Sequence, residues 1–348
     1  MIFYKKICNL YKEIMNIYKN YSLLKHNTFH LNTKTHKFIE YESEEDLQKI
    51  LEETRSPNEP IYHIGHGSNI LFLNDFKGTI IHSNIKGIEI IKEDKTHILL
   101  KVGASEDWDS FVSYCVNKGW GGIENLSLIP GEIGASAFQN IGAYGAEISN
   151  VVEEVHAYSL TTKTKQIFSN KECKYSYRNS FFKESKEIFY ITYVVYRLLK
   201  TPQFILNHDK IKSYLYGKEI NLINIRKAII AIRQLSLPNL KIFGNAGSFF
   251  TNPYICIDHY EKLKKQYYNM PCYFVDNKIV KVSAAWLIEQ CGGKKEYIGG
   301  ASVYEKHALI LINKNNATGQ DISILAEKIQ SMVKNTFGIK LKPEVSYL

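Results

Sequence analysis

Three residues have types and settings that could do chemistry. Ser248 stands in "KIFGNAGSFFTNP" (241–253), where Gly244, Asn245, Ala246 and Gly247 leave the backbone open to close approach. No GxSxG surrounds it and no His–acid pair lies near it in sequence, so a nucleophilic serine is not supported. A serine hydroxyl can still give a proton to a strong base such as a carbanion. That suits the addition of hydride and then a proton across a carbon–carbon double bond. Arg178, in "YSYRNSFFK" (175–183), could grip a carboxylate in a bidentate fork or simply stack on a tyrosine. Glu344, in "LKPEVSYL" (341–348), is either a solvated acid or a group held by a tail of strand character. In that tail Val345 and Tyr347 face away from Glu344 and Ser346.

Two glycine-rich stretches could receive a phosphate ligand. "GHGSN" (65–69) follows a strand-like run but lacks the third glycine of a dinucleotide fingerprint, so alone it reads as a tight turn. The segment "GWGGIENLSLIPGEIGASAFQNIGAYG" (119–145) holds seven of the chain's 21 glycines. Together, two such loops on one domain can point backbone N–H groups at a pyrophosphate. No Walker A sequence supports ATP chemistry. The 11 histidines include no HExxH and the six cysteines no CxxC, so no metal site and no disulfide framework is expected, and a reducing cytoplasm fits. The net charge of +9 suggests an acidic partner. The lysines are spread along the chain with no basic helix or finger pattern, which leaves a polyanionic small substrate or simple base-composition drift rather than nucleic acid.

These groups need positioning elements, and the 348 residues suffice for two or three domains. Phe3, Ile7, Leu10, Ile14 and Tyr18 recur at helical spacing and predict an amphipathic helix over 1–20, with no signal-peptide h-region. A strand is predicted in 26–41, and Ser43 caps a helix in "SEEDLQKILEET". "DWDSFVSYCVNKGW", "NLINIRKAIIAIRQLSL" and "DISILAEKIQSMVKNTFG" read as helices, "EIFYITYVVYRLLK" and "HALILINK" as strands. Helices and strands mix without strict βαβ alternation, so the class is α+β. Pro202 marks a domain boundary. No run approaches the roughly 18 apolar residues of a membrane span.

Taken in order, these pieces resemble the UDP-N-acetylenolpyruvoylglucosamine reductase family. The matching stretches are "NTF" (27–29), "GHGSNILF" (65–72), "ENLSLIPGEIGASAFQNIGAYGAE" (124–147), "YRNSFFK" (177–183), "GNAGSFFTNP" (244–253), "AAWLIEQCG" (284–292), "IGGASVYEKHALILIN" (298–313) and "PEV" (343–345). The resemblance runs from about residue 22 to 348. It implies an FAD-binding domain of the PCMH/vanillyl-alcohol-oxidase type in two subdomains (21–201), a smaller α+β substrate-binding domain (202–335) and a segment, 336–348, returning to the active site. Residues 1–20 are an extension. It implies NADPH as reductant, a UDP-sugar enolpyruvyl ether as substrate, no membrane or nucleic-acid partner, and a cytoplasmic monomer.

By that resemblance Gly65, His66, Gly67, Ser68, Asn69, Ile129, Pro130, Gly131, Gly134, Asn140, Gly142 and Ala143 hold FAD. Arg233, Asn252, Lys294 and His307 meet the substrate. Ser248 is the proton donor, while Arg178 and Glu344 stabilise the charge that hydride transfer creates. Three positions depart from the family's pattern. His66 replaces the middle glycine of a triplet, Ser236 replaces a lysine expected near the substrate phosphates, and His208 stands where one subtype has a tyrosine, with Tyr214 and Tyr216 close by. Lys210, Lys212, Arg233 and Lys294 could supply the missing charge. Two rivals remain: another flavin oxidoreductase with the same FAD domain, and a non-catalytic nucleotide-sugar binder. Stretches outside that domain oppose the first, and joint retention of Arg178, Ser248 and Glu344 opposes the second.

Overall fold

The computed structural model describes residues 16–53 and 59–348. Contacts divide the chain into two compact units. Of the described residues, the first comprises 16–21, 35–53, 59–66 and Lys77–Leu235; the second comprises Ser22–Lys34, Gly67–Phe76 and Ser236–Leu348.

The first unit is built on two sheets. One has the strand order Asn16–Ser22, Lys34–Tyr41, Phe76–Ser83, Ile61–Ile64. The other is a five-stranded antiparallel sheet with Val152–Ser159 and Phe189–Leu199 near its middle. "FYITYVVYRLL" is strand because its β-branched and aromatic residues fill a sheet buried on both faces. Helices Trp108–Asn117 and Ile133–Gln139 cover this sheet, with Trp108, Phe111, Val112, Ile133 and Ala137 in one apolar core with Val194, Tyr196 and Leu198. A second core joins Leu47, Ile50 and Leu51 of helix Glu44–Glu53 to Ile39, Ile81, Tyr158 and Tyr190. Ser43 Oγ accepts from the Asp46 N–H at 3.1 Å, as its capping position predicts.

Two expectations need correction here. Of the helix predicted over 1–20, residues 1–15 lie outside the described residues, and 16–20 belong to a strand. Pairing with the neighbouring strand overrides the helical period: Tyr18 and Tyr21 both meet Phe38, with ring centroids 6.4 and 4.2 Å apart. The compact units also do not part at 202. Phe204, Ile205 and Leu222 pack on the sheet's core, and helix Leu222–Ser236 stays with the first unit through Ile225, Ala228, Ile229 and Ile232.

The second unit has a four-stranded sheet ordered Gly244–Ser248, Ile310–Asn313, Ala301–Val303, Tyr297–Ile298, and a three-stranded sheet ordered Tyr254–Cys256, Ile279–Val282, Cys272–Phe274. Helix Gly319–Phe337 buries Ile322, Leu325, Ala326, Ile329, Val333 and Phe337, the stripe its spacing predicts. A Thr318–Asp321 capping box starts it and Gly338, at φ +68°, ends it. Ser346–Tyr347 pairs in parallel with Ile70–Leu71.

Candidate active site

In the first unit the glycine-rich stretch is clamped at its entry. Leu128 adopts φ +60°, a costly conformation for a branched residue that its surroundings must impose. Its N–H donates to Asp109 Oδ1 at 2.5 Å, and its carbonyl accepts from Arg233 Nε at 3.3 Å. Asp109 in turn receives both guanidinium nitrogens of Arg226, at 2.6 and 2.9 Å. Arg226 and Arg233 lie two turns apart on one face of helix Leu222–Ser236. Burial pushes the Asp109 carboxyl up, but its bonds from Arg226 and Leu128 hold it below the ordinary carboxylate range. Burial lowers the Arg233 pKa, against the pull of Tyr144 and Asp109. Ile129, Pro130 and Gly131 leave this clamp, and Gly131 has φ +128°.

The rest of the stretch is pinned by backbone. The Gly131 carbonyl accepts from the Trp108 N–H, and the Gly134 N–H donates to the Ala104 carbonyl at 2.8 Å. A Cβ on Gly134 would sit 3.1 Å from that of Ala104. Asn140 ends helix Ile133–Gln139 in a left-handed conformation and is fully buried. It accepts from the Ser149 N–H at 3.1 Å and donates to the Ser176 carbonyl at 2.8 Å, tying the helix end to the loop that carries Arg178. Ala143 follows Gly142 in a two-residue strand.

Arg178 itself has φ +56°. The tyrosine stack read from its sequence setting is present, with the guanidinium 5.2 Å from the Tyr177 ring centre. Its Nη2 also donates to the Gly142 carbonyl at 2.5 Å, and a Cβ on Gly142 would lie 2.9 Å from Nη1. The guanidinium therefore lies against the glycine stretch. Gly65 is constrained likewise, because a Cβ there would collide with the Glu132 carboxylate, whose other oxygen is 3.1 Å from His66 Nε2.

In the second unit Gly67 has φ +64°, and a Cβ there would run into the His26 carbonyl. Ser68 and Asn69 follow, and Asn69 Nδ2 donates to the Glu344 carbonyl at 3.1 Å. The Glu344 N–H donates to the Phe249 carbonyl at 2.8 Å, one residue past Ser248. The tail is thus an extended segment, with Phe250 opposite Pro343 and Val345 buried. Ser248 is exposed at the end of its strand, where a register shift separates the Asn245 and Ser248 pairings with Ile312 and Ile310. Such bulges re-aim side chains. Asn245, buried, sets this one. Its Oδ1 accepts from the Gly247 N–H and its Nδ2 donates to the Phe243 carbonyl, both at 3.0 Å, while Gly247 takes φ +69°.

The other substrate candidates in this unit are already engaged in the fold. Asn252 Oδ1 accepts from the Ala284 N–H at 3.0 Å at the start of helix Ala284–Gln290. Lys294 lies 3.5 Å from Glu289, and His307 Nδ1 accepts from the Leu309 N–H at 3.3 Å. In the first unit His208 lies edge-on to Tyr144, centroids 5.1 Å apart. Lys210 and Lys212 are exposed on the next helix.

A flavin dinucleotide needs backbone that admits close approach to its pyrophosphate and rings. In the first unit Gly131, at φ +128°, Gly134 and Gly142 present backbone without side chains along one stretch. The residues present fit that group.

Two family models match: the C-terminal domain of UDP-N-acetylenolpyruvoylglucosamine reductase over 238–348, and an FAD-binding domain over 36–167. A UDP-N-acetylenolpyruvoylglucosamine reductase of Bacteroides fragilis is 43% identical over 331 residues, covering 94% of this chain and 99% of that protein. The chain belongs to the UDP-N-acetylenolpyruvoylglucosamine reductase family. The same-named protein of Porphyromonas gingivalis is also 43% identical, over 332 residues covering 94% of this chain and 98% of its own length. In fold, the crystal structure of the reductase from Thermus caldophilus matches with a TM-score of 0.66 at 18% identity, covering 96% of this chain and 98% of that one.

The structure adds residues that motif reading passes over. Asp109, Arg226 and Tyr144 lie at the entry of the glycine-rich stretch, and Asn245 shapes the serine bulge. Asp109 and Arg226 lie 117 residues apart, so no local pattern connects them. For Asn245 the available signal was an amide among the small residues of "GNAGS". Glu132, a lone charge in the apolar run "SLIPGEIGAS", carried the same kind of signal.

Proposed function

We infer that this chain reduces the enolpyruvyl ether of UDP-N-acetylglucosamine enolpyruvate to the lactyl ether of UDP-N-acetylmuramate, a step in peptidoglycan precursor synthesis, using FAD and NADPH. The observation that carries this reading is the C-terminal segment, where Glu344 is hydrogen-bonded by backbone next to Ser248 in a chain that also has an FAD-binding domain.

When bound, FAD supplies to the substrate's CH₂ carbon the hydride it has taken from NADPH. Charge then develops on the neighbouring carbon and its carboxylate. Arg178, held by the Gly142 carbonyl and Tyr177, supports that charge from a fixed position rather than reorganising toward it. Glu344 shares the role, carrying or bridging a proton to the carboxylate. Ser248 gives the carbon its proton. An alcohol is a weak acid, but it suffices against a carbanion-like centre, and its exposure lets solvent restore the proton. Arg233, Asn252, Lys294 and His307 serve the UDP-sugar. Cys115, Cys173, Cys256, Cys272 and Cys291 are free, which supports a reducing compartment. Among the described residues no helix is long and apolar enough to cross a membrane.

The test is direct. Purified protein should be yellow, release FAD on denaturation, and oxidise NADPH only when the enolpyruvyl UDP-sugar is added. A colourless protein that takes up no added FAD would sink the reading.

A further inference from the structure

The first unit buries a carboxylate that the reaction does not use. Glu132 lies just before helix Ile133–Gln139 and is 4% exposed. Among the described residues its ionic partners are two imidazoles: His66 Nε2 at 3.1 Å and His82 Nε2 at 3.4 Å, both facing Oε1. The opposite nitrogen of His82 lies 3.5 Å from Glu40 Oε1, and its ring stacks on Phe38. Glu132 Oε2 fills the space where a Cβ on Gly65 would be. The carboxylate is therefore wedged against the Gly65–His66 turn, with His66 as its bridge to that turn.

Beside this cluster lie the titratable groups His63, Tyr41 and Tyr190. Burial, and then the charge of His82, hold the His63 imidazole at about 3, and His63 is hydrogen-bonded to the Tyr41 hydroxyl at 3.0 Å. Burial pushes the Tyr41 and Tyr190 phenols up, so they too are neutral. That leaves two acids, Glu132 and Glu40, and two imidazoles, His66 and His82. A buried carboxylate is costly unless a proton or a cation is shared with it. His66, with 45% of its side chain exposed against 5% for Glu132, is the member that solvent reaches.

We propose that Glu132 is a positioning residue for the flavin cofactor: through His66 it ties the Gly65–His66 turn to the segment that opens helix Ile133–Gln139, and FAD is held less tightly when that tie is cut. His66 is the one side chain between Gly65 and Gly67, and Glu132 meets it there. The proposal rests on assigning that turn and the 129–143 stretch to FAD, and its test separates the two.

The experiment uses the full chain stripped of FAD and titrated with FAD by flavin fluorescence. The variants are His66→Gln, Glu132→Gln, their double, and Gly65→Ala. Each single glutamine variant should raise Kd roughly tenfold. The double should be no weaker than the weaker single, the signature of one shared interaction. Gly65→Ala, which displaces the carboxylate, should behave like Glu132→Gln. If the chain binds FAD but either single variant leaves Kd unchanged, or the two single effects add, the proposal is overturned while the flavin assignment stands. If no variant and no wild type binds FAD, both fall. Should Glu132→Gln fail to fold, as far-UV circular dichroism of the apoprotein would show, the half-exposed His66→Gln decides the matter. A merely structural glutamate would lower the melting temperature without changing Kd.

Discussion

Arg178 and Ser248 are held in opposite ways. The arginine sits in a left-handed backbone conformation, stacked on Tyr177 and bonded to the Gly142 carbonyl, so both its backbone and its guanidinium are constrained. The serine is exposed, and rigidity lies one layer down in Asn245, Gly247 and the tail strand that pairs beside it. The difference fits the tasks proposed for them. A group that stabilises developing charge works best when it cannot reorganise. A group that gives up a proton each turnover must stay open to a source of protons.

The tail offers the strongest way to break that contrast. Glu344→Gln should leave the fold, the colour and reduction by NADPH intact, yet slow hydride transfer to the UDP-sugar by about 10²- to 10³-fold. Deleting 344–348 should do the same and also cost about 2–5 kcal/mol, because the buried Val345 and the Phe249–Tyr347 ring contact go with it. Flavin reoxidation at the full-length rate in the truncated protein would show that the tail is dispensable. Asn245→Ala comes next. It removes two hydrogen bonds from a buried site, costs about 1–3 kcal/mol, and by misaiming Ser248 should slow reoxidation about 10²-fold. An unchanged rate in a destabilised protein would mean that the bulge does not aim the serine.

On the arginine side, Asp109→Asn should cost about 1–2 kcal/mol, since the pair with Arg226 is only partly buried. It should also weaken FAD binding by loosening the clamp on Leu128. Its pH behaviour has a definite sign. The folded-state carboxyl is depressed, so its contribution is complete above the ordinary value of about 3.9 and is lost as pH falls through the folded value. Urea melts should therefore show the gap between wild type and Asp109→Asn shrinking below about pH 4. A gap constant down to about pH 2 would contradict the role of its charge. The smallest effect is expected from Ser236→Lys, a gain of up to about fivefold in UDP-sugar affinity at low salt that fades as salt is raised. Calorimetry that finds no gain at low salt would place the phosphate contact elsewhere.

Much of this was legible beforehand and the rest was not, for physical reasons. Helices Glu44–Glu53, Trp108–Asn117, Leu222–Ser236 and Gly319–Phe337 declare themselves by caps and a 3.6-residue period. The tail reads as extended from the alternation of Glu344, Val345, Ser346 and Tyr347. The strand at 16–20 was misread because helical spacing is a local signal, whereas its pairing partner begins at Lys34. The division by contacts falls after Leu235 rather than at Pro202. A proline marks a break in the backbone, but which core the following helices join depends on the apolar residues they bury, and Asp109, the partner of Arg226, lies 117 residues earlier. Of the site, types and order could be read along the chain, while the strained Leu128 and the Glu132 cluster exist only in three dimensions.

The most direct test of the account is stopped-flow absorbance of the flavin in Ser248→Ala, following reduction by NADPH and reoxidation by the enolpyruvyl UDP-sugar as separate reactions. The account predicts that reduction stays within about twofold of wild type while reoxidation slows by about 10²- to 10⁴-fold, the range of a lost general acid. Equal slowing of the two half-reactions would make Ser248 a structural residue and contradict its role as proton donor.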